Sequence, residues 1–285
     1  FEGLHRQFKF GVITFSNNGK TDELRGGFGY TDTSVLNHVE QYLPTIPKLV
    51  LSEYSPEAKI FPFIQDNQEV KVLKKILDHP QLSEDLDQKW NISVTSELDR
   101  NLETERFFED KRDYPIIGGK NIHQYLYNNE IDDNISDVSF WSVDNNKQRS
   151  AKHRLKEKGT RRVKRRIFNQ LNGTGSQKSF VNGILQEERG SNLSADDVLL
   201  DSSEYRVVFR KITNSTNERT MIAAVLPPNR ITEYSCQTVR RFELNVKRSQ
   251  LNEDPLRSIY DYTQTDKEMF LTVGLLNSVP FDFLM

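Results

Sequence analysis

Between Tyr205 and Pro228 the chain carries two apolar runs separated by a polar stretch and closed by a double proline, which constrains the segment to a strand–loop–strand order. Tyr205 to Ile212 and Met221 to Leu226 are rich in β-branched and aromatic residues, the composition of strands. Thr213 to Thr220 has the composition of a loop, and Pro227-Pro228 stops further pairing because neither residue has an N–H to donate. A strand–loop–strand unit is expected. Side chains alternate along a strand, so Arg206 and Arg210 share one face, while Asn217 and Arg219 fall in the loop. Guanidinium groups on such a unit suit a surface that reads phosphates or base edges. An ordinary hairpin with solvated charges, or one whose Arg219 pairs with Glu218 or Glu204, has the same pattern.

Charge is spread unevenly. The 285 residues sum to −2, yet Lys147 to Arg166 holds eleven Lys or Arg against the single acid Glu157, which makes that window +10 and the remainder −12. Like charges repel unless screened, so Arg161, Arg162, Lys164, Arg165 and Arg166 require a polyanion or bulk water. One reading is a phosphate-contacting arm or helix whose affinity falls steeply with salt. The other is a solvated loop. Leu155, Val163 and Ile167 are eight and four residues apart, which allows part of the segment to be an amphipathic helix. With few apolar neighbours, these five cations are expected to contribute little to the fold.

Four segments, taken in order, resemble the C-terminal part of large N6-adenine DNA methyltransferases of the Type IIG, Type ISP and Eco57I-like restriction–modification and phage-defence systems. They are Phe8-Lys-Phe-Gly-Val-Ile-Thr-Phe15 with Gly19-Lys-Thr21; Tyr114-Pro-Ile-Ile-Gly-Gly-Lys-Asn-Ile-His-Gln-Tyr125; the strand–loop–strand unit itself; and Leu275-Leu-Asn-Ser-Val-Pro-Phe-Asp-Phe-Leu284. Together they bracket nearly the whole chain. The resemblance implies a target-recognition domain like the TaqI-like C-terminal domain, with double-stranded DNA as its partner. It also implies a methyltransferase core elsewhere in the parent chain, an adenine-specific enzyme that uses S-adenosylmethionine. Lys120, His123 and Tyr125 inherit a structural or DNA-facing role. Where this chain has Ile117-Gly-Gly-Lys120, the family commonly has Tyr-Glu-Gly-Lys, so an acidic residue is missing here. By residue chemistry alone, His123 also reads as a hydrogen-bonded histidine at a domain junction.

Missing motifs narrow the role further. Amino-methyltransferases of this class need an Asn/Asp-Pro-Pro-Tyr/Phe loop to accept from the target amine and stack on the flipped base. Leu226-Pro-Pro-Asn229 has the prolines without either flank, and Gly26-Gly-Phe-Gly29 and Gly173-Thr-Gly175 are too short for a nucleotide-binding turn. There is no Walker A motif and no histidine pair at metal-ligand spacing, and Asp110-Lys-Arg-Asp113 is not a convincing nuclease signature. This chain alone is expected neither to methylate nor to cleave DNA, and to hold no cofactor or metal. The lone Cys236 excludes an internal disulfide and fits a reducing, cytoplasmic setting. No apolar run approaches the roughly 20 residues that span a bilayer, so no membrane partner is expected. A start at Phe1 reads as a piece of a longer protein. The competing function is a protein-interaction module whose basic segment binds an acidic partner.

The expected architecture is α+β, with a mixed or antiparallel sheet, flanking helices and two lobes. Residues 1–113 would form a connecting lobe that packs on the methyltransferase core, and residues 114–285 the target-recognition domain. Local patterns predict strands at Phe8–Phe15, Gly26–Tyr30 and Trp90–Thr95, and helices at Ser34–Tyr42 (capped by Ser34), Asn67–Asp78 and Asp266–Leu276. Pro44–Pro62, Glu97–Lys111, the acidic stretch Asn128–Asp137, Asn169–Ser202 and Leu251–Tyr262 read as loops.

Overall fold

A computed structural model of the chain describes residues 11–30, 32–82, 84, 92–99, 107–108, 114–127, 139–141, 151–213 and 217–284. The fold is α+β, and it divides into two compact units, Phe1–Pro80 and Gln81–Met285. The boundary lies nearer the N-terminus than the expected one at residue 113, because residues 92–98 are built into the second unit.

In the first unit, β1 (Glu23–Arg25) pairs antiparallel with β2 (Thr45–Pro47), and between them a 3-10 turn (Thr33–His38) leads into α1 (Val39–Tyr42). Asp32, not Ser34, caps this turn, its carboxylate accepting from Ser34 N at 2.9 Å. Next come α2 (Lys48–Tyr54) and α3 (Asn67–Leu77). Asp66 caps α3 by accepting from the N–H groups of Gln68 and Glu69 at 2.7 and 2.8 Å, satisfying two of the donors that a helix start leaves orphaned. Val70 and Leu73 turn inward beside Ile46, Val50, Leu51 and Ile64. Three expectations fail. Pro44–Pro62 contains β2 and α2 rather than loop alone, since Leu49, Val50 and Leu51 follow Pro47 and Val50 and Leu51 have a core to enter. Residues 11–15 of the expected first strand are exposed and unpaired, residues 8–10 lie outside the described residues, and the paired strand is Glu23–Arg25 rather than Gly26–Tyr30.

The second unit is built on a four-stranded antiparallel sheet in the order β10 (Ala223–Leu226), β9 (Arg206–Arg210), β12 (Cys236–Val239), β3 (Val94–Thr95). The expected strand pair is present, with Ala223 opposite Phe209 and Leu226 opposite Arg206. Both faces of this sheet are covered, which is why its strands read as unbroken apolar runs. Val207, Ala223 and Val239 face Met269, Val273 and Leu276 of α6 (Asp266–Leu276). Val208, Ala224 and Cys236 face Ile122 and Tyr127 of the hairpin β6 (Ile122–His123) and β7 (Leu126–Tyr127).

A second, mixed sheet has the order β11 (Ile231–Thr232), β5 (Pro115–Ile117), β8 (Ser139–Trp141), β4 (Phe107–Phe108), with β11 parallel to β5. The basic segment is the long helix α4 (Ala151–Gln170), which packs on α5 (Gln177–Arg189). Val163 and Ile167 of α4 join Val181, Ile184 and Leu185 of α5, with Leu244 and Ile259 from the hairpin β13 (Phe242–Leu244) and β14 (Tyr260–Tyr262). The Asn169–Ser202 stretch is therefore not a polar excursion. It holds α5, whose Phe180, Val181, Ile184 and Leu185 make an apolar stripe between flanks rich in Gly, Ser and Asn. Leu251–Tyr262 likewise ends in β14. The final helix, α7 (Val279–Leu284), follows α6 directly. The acidic stretch 128–137, most of 97–111, residues 90–91 of the expected strand at Trp90–Thr95 and residues 147–150 of the basic run lie outside the described residues.

Candidate nucleic-acid interface

Helix α4 sorts the basic run by face. Leu155, Val163 and Ile167 are buried, and beside them the half-buried Arg162 and the exposed Arg166 bend back to backbone carbonyls. Arg162 Nη2 donates to Phe242 O at 2.8 Å, and Arg166 Nε donates to Leu244 O at 2.8 Å, so two arginines clamp β13 to the helix. Burial, then the neighbouring Arg240, pulls the Arg162 pKa down. Closer to the N-terminus, Lys158 Nζ donates to Glu97 O at 2.6 Å and Lys156 Nζ to Ala195 O at 2.7 Å. The expectation that the five cations do not support the fold is corrected for Arg162 and Arg166.

Arg161, Lys164 and Arg165 lie on the outer face. Arg161 and Arg165 are exposed and Lys164 half-buried, and none of the three side chains has a hydrogen bond or ion pair with another described residue. Their spacing of three and four places makes them neighbours on the helix surface, where like charges at close range are unfavourable without an anion.

The other predicted residues gather around the β6–β7 hairpin and the β9–β10 loop, which the C-terminal helices hold in place. The Asn277 side chain, at the end of α6, accepts from Ala223 N at 3.0 Å and donates to Ala223 O at 2.8 Å. Its backbone carbonyl accepts from Gln124 Nε2, at the hairpin tip, at 3.3 Å. Asp282 of α7 accepts from Thr220 N at 2.6 Å and Met221 N at 2.9 Å, and pairs with Arg219 at 3.4 Å. Arg219 is thus held by Asp282, not by Glu218 or Glu204, and the half-buried Asn217 stands two residues before it in the same loop. Asn277 and Asp282 were not singled out from sequence, although both lie inside the Leu275–Leu284 segment.

Arg210 supports the hairpin root. Its Nε donates to Ile122 O at 2.9 Å, and burial pulls its pKa down. Lys120, His123 and Tyr125 are exposed along this same hairpin and the turn before it. That turn is tied to the far side of the sheet, because Ser235 Oγ accepts from Gly119 N at 2.8 Å and donates to Glu233. A side chain at Gly118 would bring its Cβ to 3.0 Å from the Glu233 carboxylate, so the position is tight for any residue larger than glycine. Burial, then the neighbouring Glu233, pushes the Cys236 thiol up to about 12, so it is a core residue without nucleophilic character at neutral pH.

Arg206 is not at any interface. Its side chain is 0% exposed and its Nη2 donates to Glu97 Oε2 at 2.9 Å and to Arg230 O at 2.7 Å. The same Glu97 oxygen accepts from Thr232 N at 2.7 Å. Arg206 and Arg210 share a strand face as expected, but that face is covered at Arg206 and opens only towards Arg210. Gly173-Thr-Gly175 joins α4 to α5, and Gly26-Gly-Phe-Gly29 follows β1 without leading into an α-helix, so neither is a strand-to-helix phosphate turn. Among the described residues no group of three or more His, Cys, Asp or Glu could hold a metal ion, and no helix is long and apolar enough to cross a membrane. No protein-family model matches the chain, and no curated protein matches it.

Proposed function

We propose that the unit Gln81–Met285 is a duplex-DNA target-recognition module of an adenine-N6 DNA methyltransferase or fused restriction–modification enzyme. The observation that carries this reading is the outer stripe Arg161, Lys164 and Arg165 on α4. A rigid helix, fixed from behind by Arg162 and Arg166, presents three cations that no described residue neutralises. Such a stripe would take phosphates, while Lys120, His123, Arg210, Asn217 and Arg219 supply the donor-bearing side chains that base edges accept. The four family-like segments support the parent assignment, and S-adenosylmethionine would belong to the parent's catalytic core. An acidic protein surface is the competing partner for the stripe.

A salt series on random-sequence duplex tests the proposal. The triple variant R161A/K164A/R165A should keep the wild-type melting temperature and bind all duplexes more weakly. Its slope of log K against log salt should be flatter by about 2–3, as expected for three lost phosphate contacts at about 0.9 each. R162A should instead lose stability first, by about 1.5–3 kcal/mol, because it removes a charge-assisted bond from a half-buried guanidinium to backbone, and R166A, at an exposed position, should lose less. Wild-type protein that binds no duplex at low salt would exclude the DNA reading and leave the acidic-protein partner.

A further inference from the structure

We propose that the β6–β7 tip is a wedge that inserts Tyr125, backed by Leu126, into a base step of duplex DNA; this rests on the DNA reading above. The tip consists of Gln124 and Tyr125, since His123 pairs with Leu126. Tyr125 has φ +64°, whereas Gln124 has ordinary negative φ. A turn of that kind normally places Gly or Asn at the second position, because a side chain there crowds the backbone. Nothing in the turn requires an aromatic residue. Tyr125 is nevertheless 59% exposed and Leu126 61% exposed, so two consecutive large apolar side chains project from the tip without covering any core.

The tip is also held rigidly. Tyr125 N donates to Ala223 O at 2.9 Å, Gln124 Nε2 reaches Asn277 O, and Arg210 grips Ile122 O at the root. Three separate elements thus fix the hairpin tip that carries this exposed aromatic ring in a left-handed backbone. Rigid aromatic contact at low entropic cost suits stacking, and apolar wedges between base steps unstack and bend the duplex. Lys120 and Arg210 bring positive charge to the hairpin and its root, Arg219 on the bonded β9–β10 loop is paired with Asp282, Glu233 is buried, and Glu218 is exposed in that loop.

Unwinding of relaxed closed-circular plasmid, read after topoisomerase I treatment of the complex with the full chain, tests the wedge independently of target sequence. Wild type should shift the topoisomer distribution, and Tyr125→Phe, which keeps the ring, should shift it equally. Tyr125→Gly relieves the left-handed backbone, so it should melt at the same or a higher temperature. It should nevertheless bind a random-sequence duplex about 10-fold more weakly, within the range for loss of one stacked aromatic, and unwind the plasmid little. Wild type that binds duplex with steep salt dependence but leaves the topoisomers unchanged would overturn the wedge alone. Unwinding by Tyr125→Gly equal to wild type would do the same. If wild type fails to bind any duplex at low salt, the recognition reading falls, and the wedge with it.

Discussion

Arg165 and Arg166 are adjacent in the chain and have opposite uses. Both are exposed, but only Arg166 reaches back to a carbonyl of β13, because successive helical residues point about 100° apart. Polar atoms inside this molecule are similarly decided by what they face. Asp197 is the clearest case. Burial works against its charge, but bonds from Arg189 at 2.7 and 2.9 Å, with the N–H groups of Ser194 and Leu256, hold the carboxyl well below the usual carboxylate range. A carboxyl whose folded pKa lies below its unfolded value of about 3.9 stabilises fully above that value and loses the contribution as pH falls towards the lowered one. Urea melts should therefore show stability dropping between about pH 5 and pH 2. Asp197→Asn should cost about 3–5 kcal/mol at pH 7, leaving Arg189 buried without its anion, and should flatten that acid limb. An acid limb unchanged in the variant would mean that other carboxylates set it.

Helices α4 and α5 pack as a pair, and each has a glycine in its interior, where glycine normally weakens a helix. The two glycines are there for different reasons. A Cβ at Gly159 would overlap Val198, whereas one at Gly183 would meet nothing within 4 Å. Gly183→Ala should therefore stabilise the protein by about 0.5–1 kcal/mol through backbone entropy and helix propensity. Gly159→Ala should destabilise it, by about 1–2 kcal/mol net, because overpacking outweighs the same propensity gain. Thermal melts of the two variants shifting in the same direction would contradict the close approach of α4 to Val198. The α5 stripe was legible in principle from Phe180, Val181, Ile184 and Leu185. Its polar flanks hid the boundary, and Ser179 stands where a Glu or Gln would have completed a capping box with Ser176.

The second unit closes its interior with its own residues. The α4–α5 cluster, the two clusters on either face of the main sheet, and the cluster joining Leu98, Ile116, Leu155 and Ile231 draw only on residues from 82 onward. A protein restricted to Gln81–Met285 should therefore melt cooperatively, within a few degrees of the corresponding transition in the full chain, as a domain of about 200 residues with its own core should. Loss of cooperative melting would show that Phe1–Pro80 is required for that core.

Some of this was written locally in the chain. Helices α3 and α6 and the strands β9 and β10 were legible because periodicity, capping and proline punctuation act within a few residues. Asp66 bonds Gln68 and Glu69, and Thr265 exchanges bonds with Glu268. The +10 window likewise marked α4 as the segment where cations concentrate. Which of those cations face outward was not legible. Arg162 finds its acceptor 80 residues away in Phe242, Arg206 finds Glu97 at a separation of 109, and Arg219 finds Asp282 at 63. A guanidinium behaves alike in any sequence context until a carbonyl or carboxylate from a distant part of the chain is packed beside it. Local pattern therefore specified the elements and the region of positive charge, and only long-range packing separated the arginines that hold the fold from those left to meet a partner.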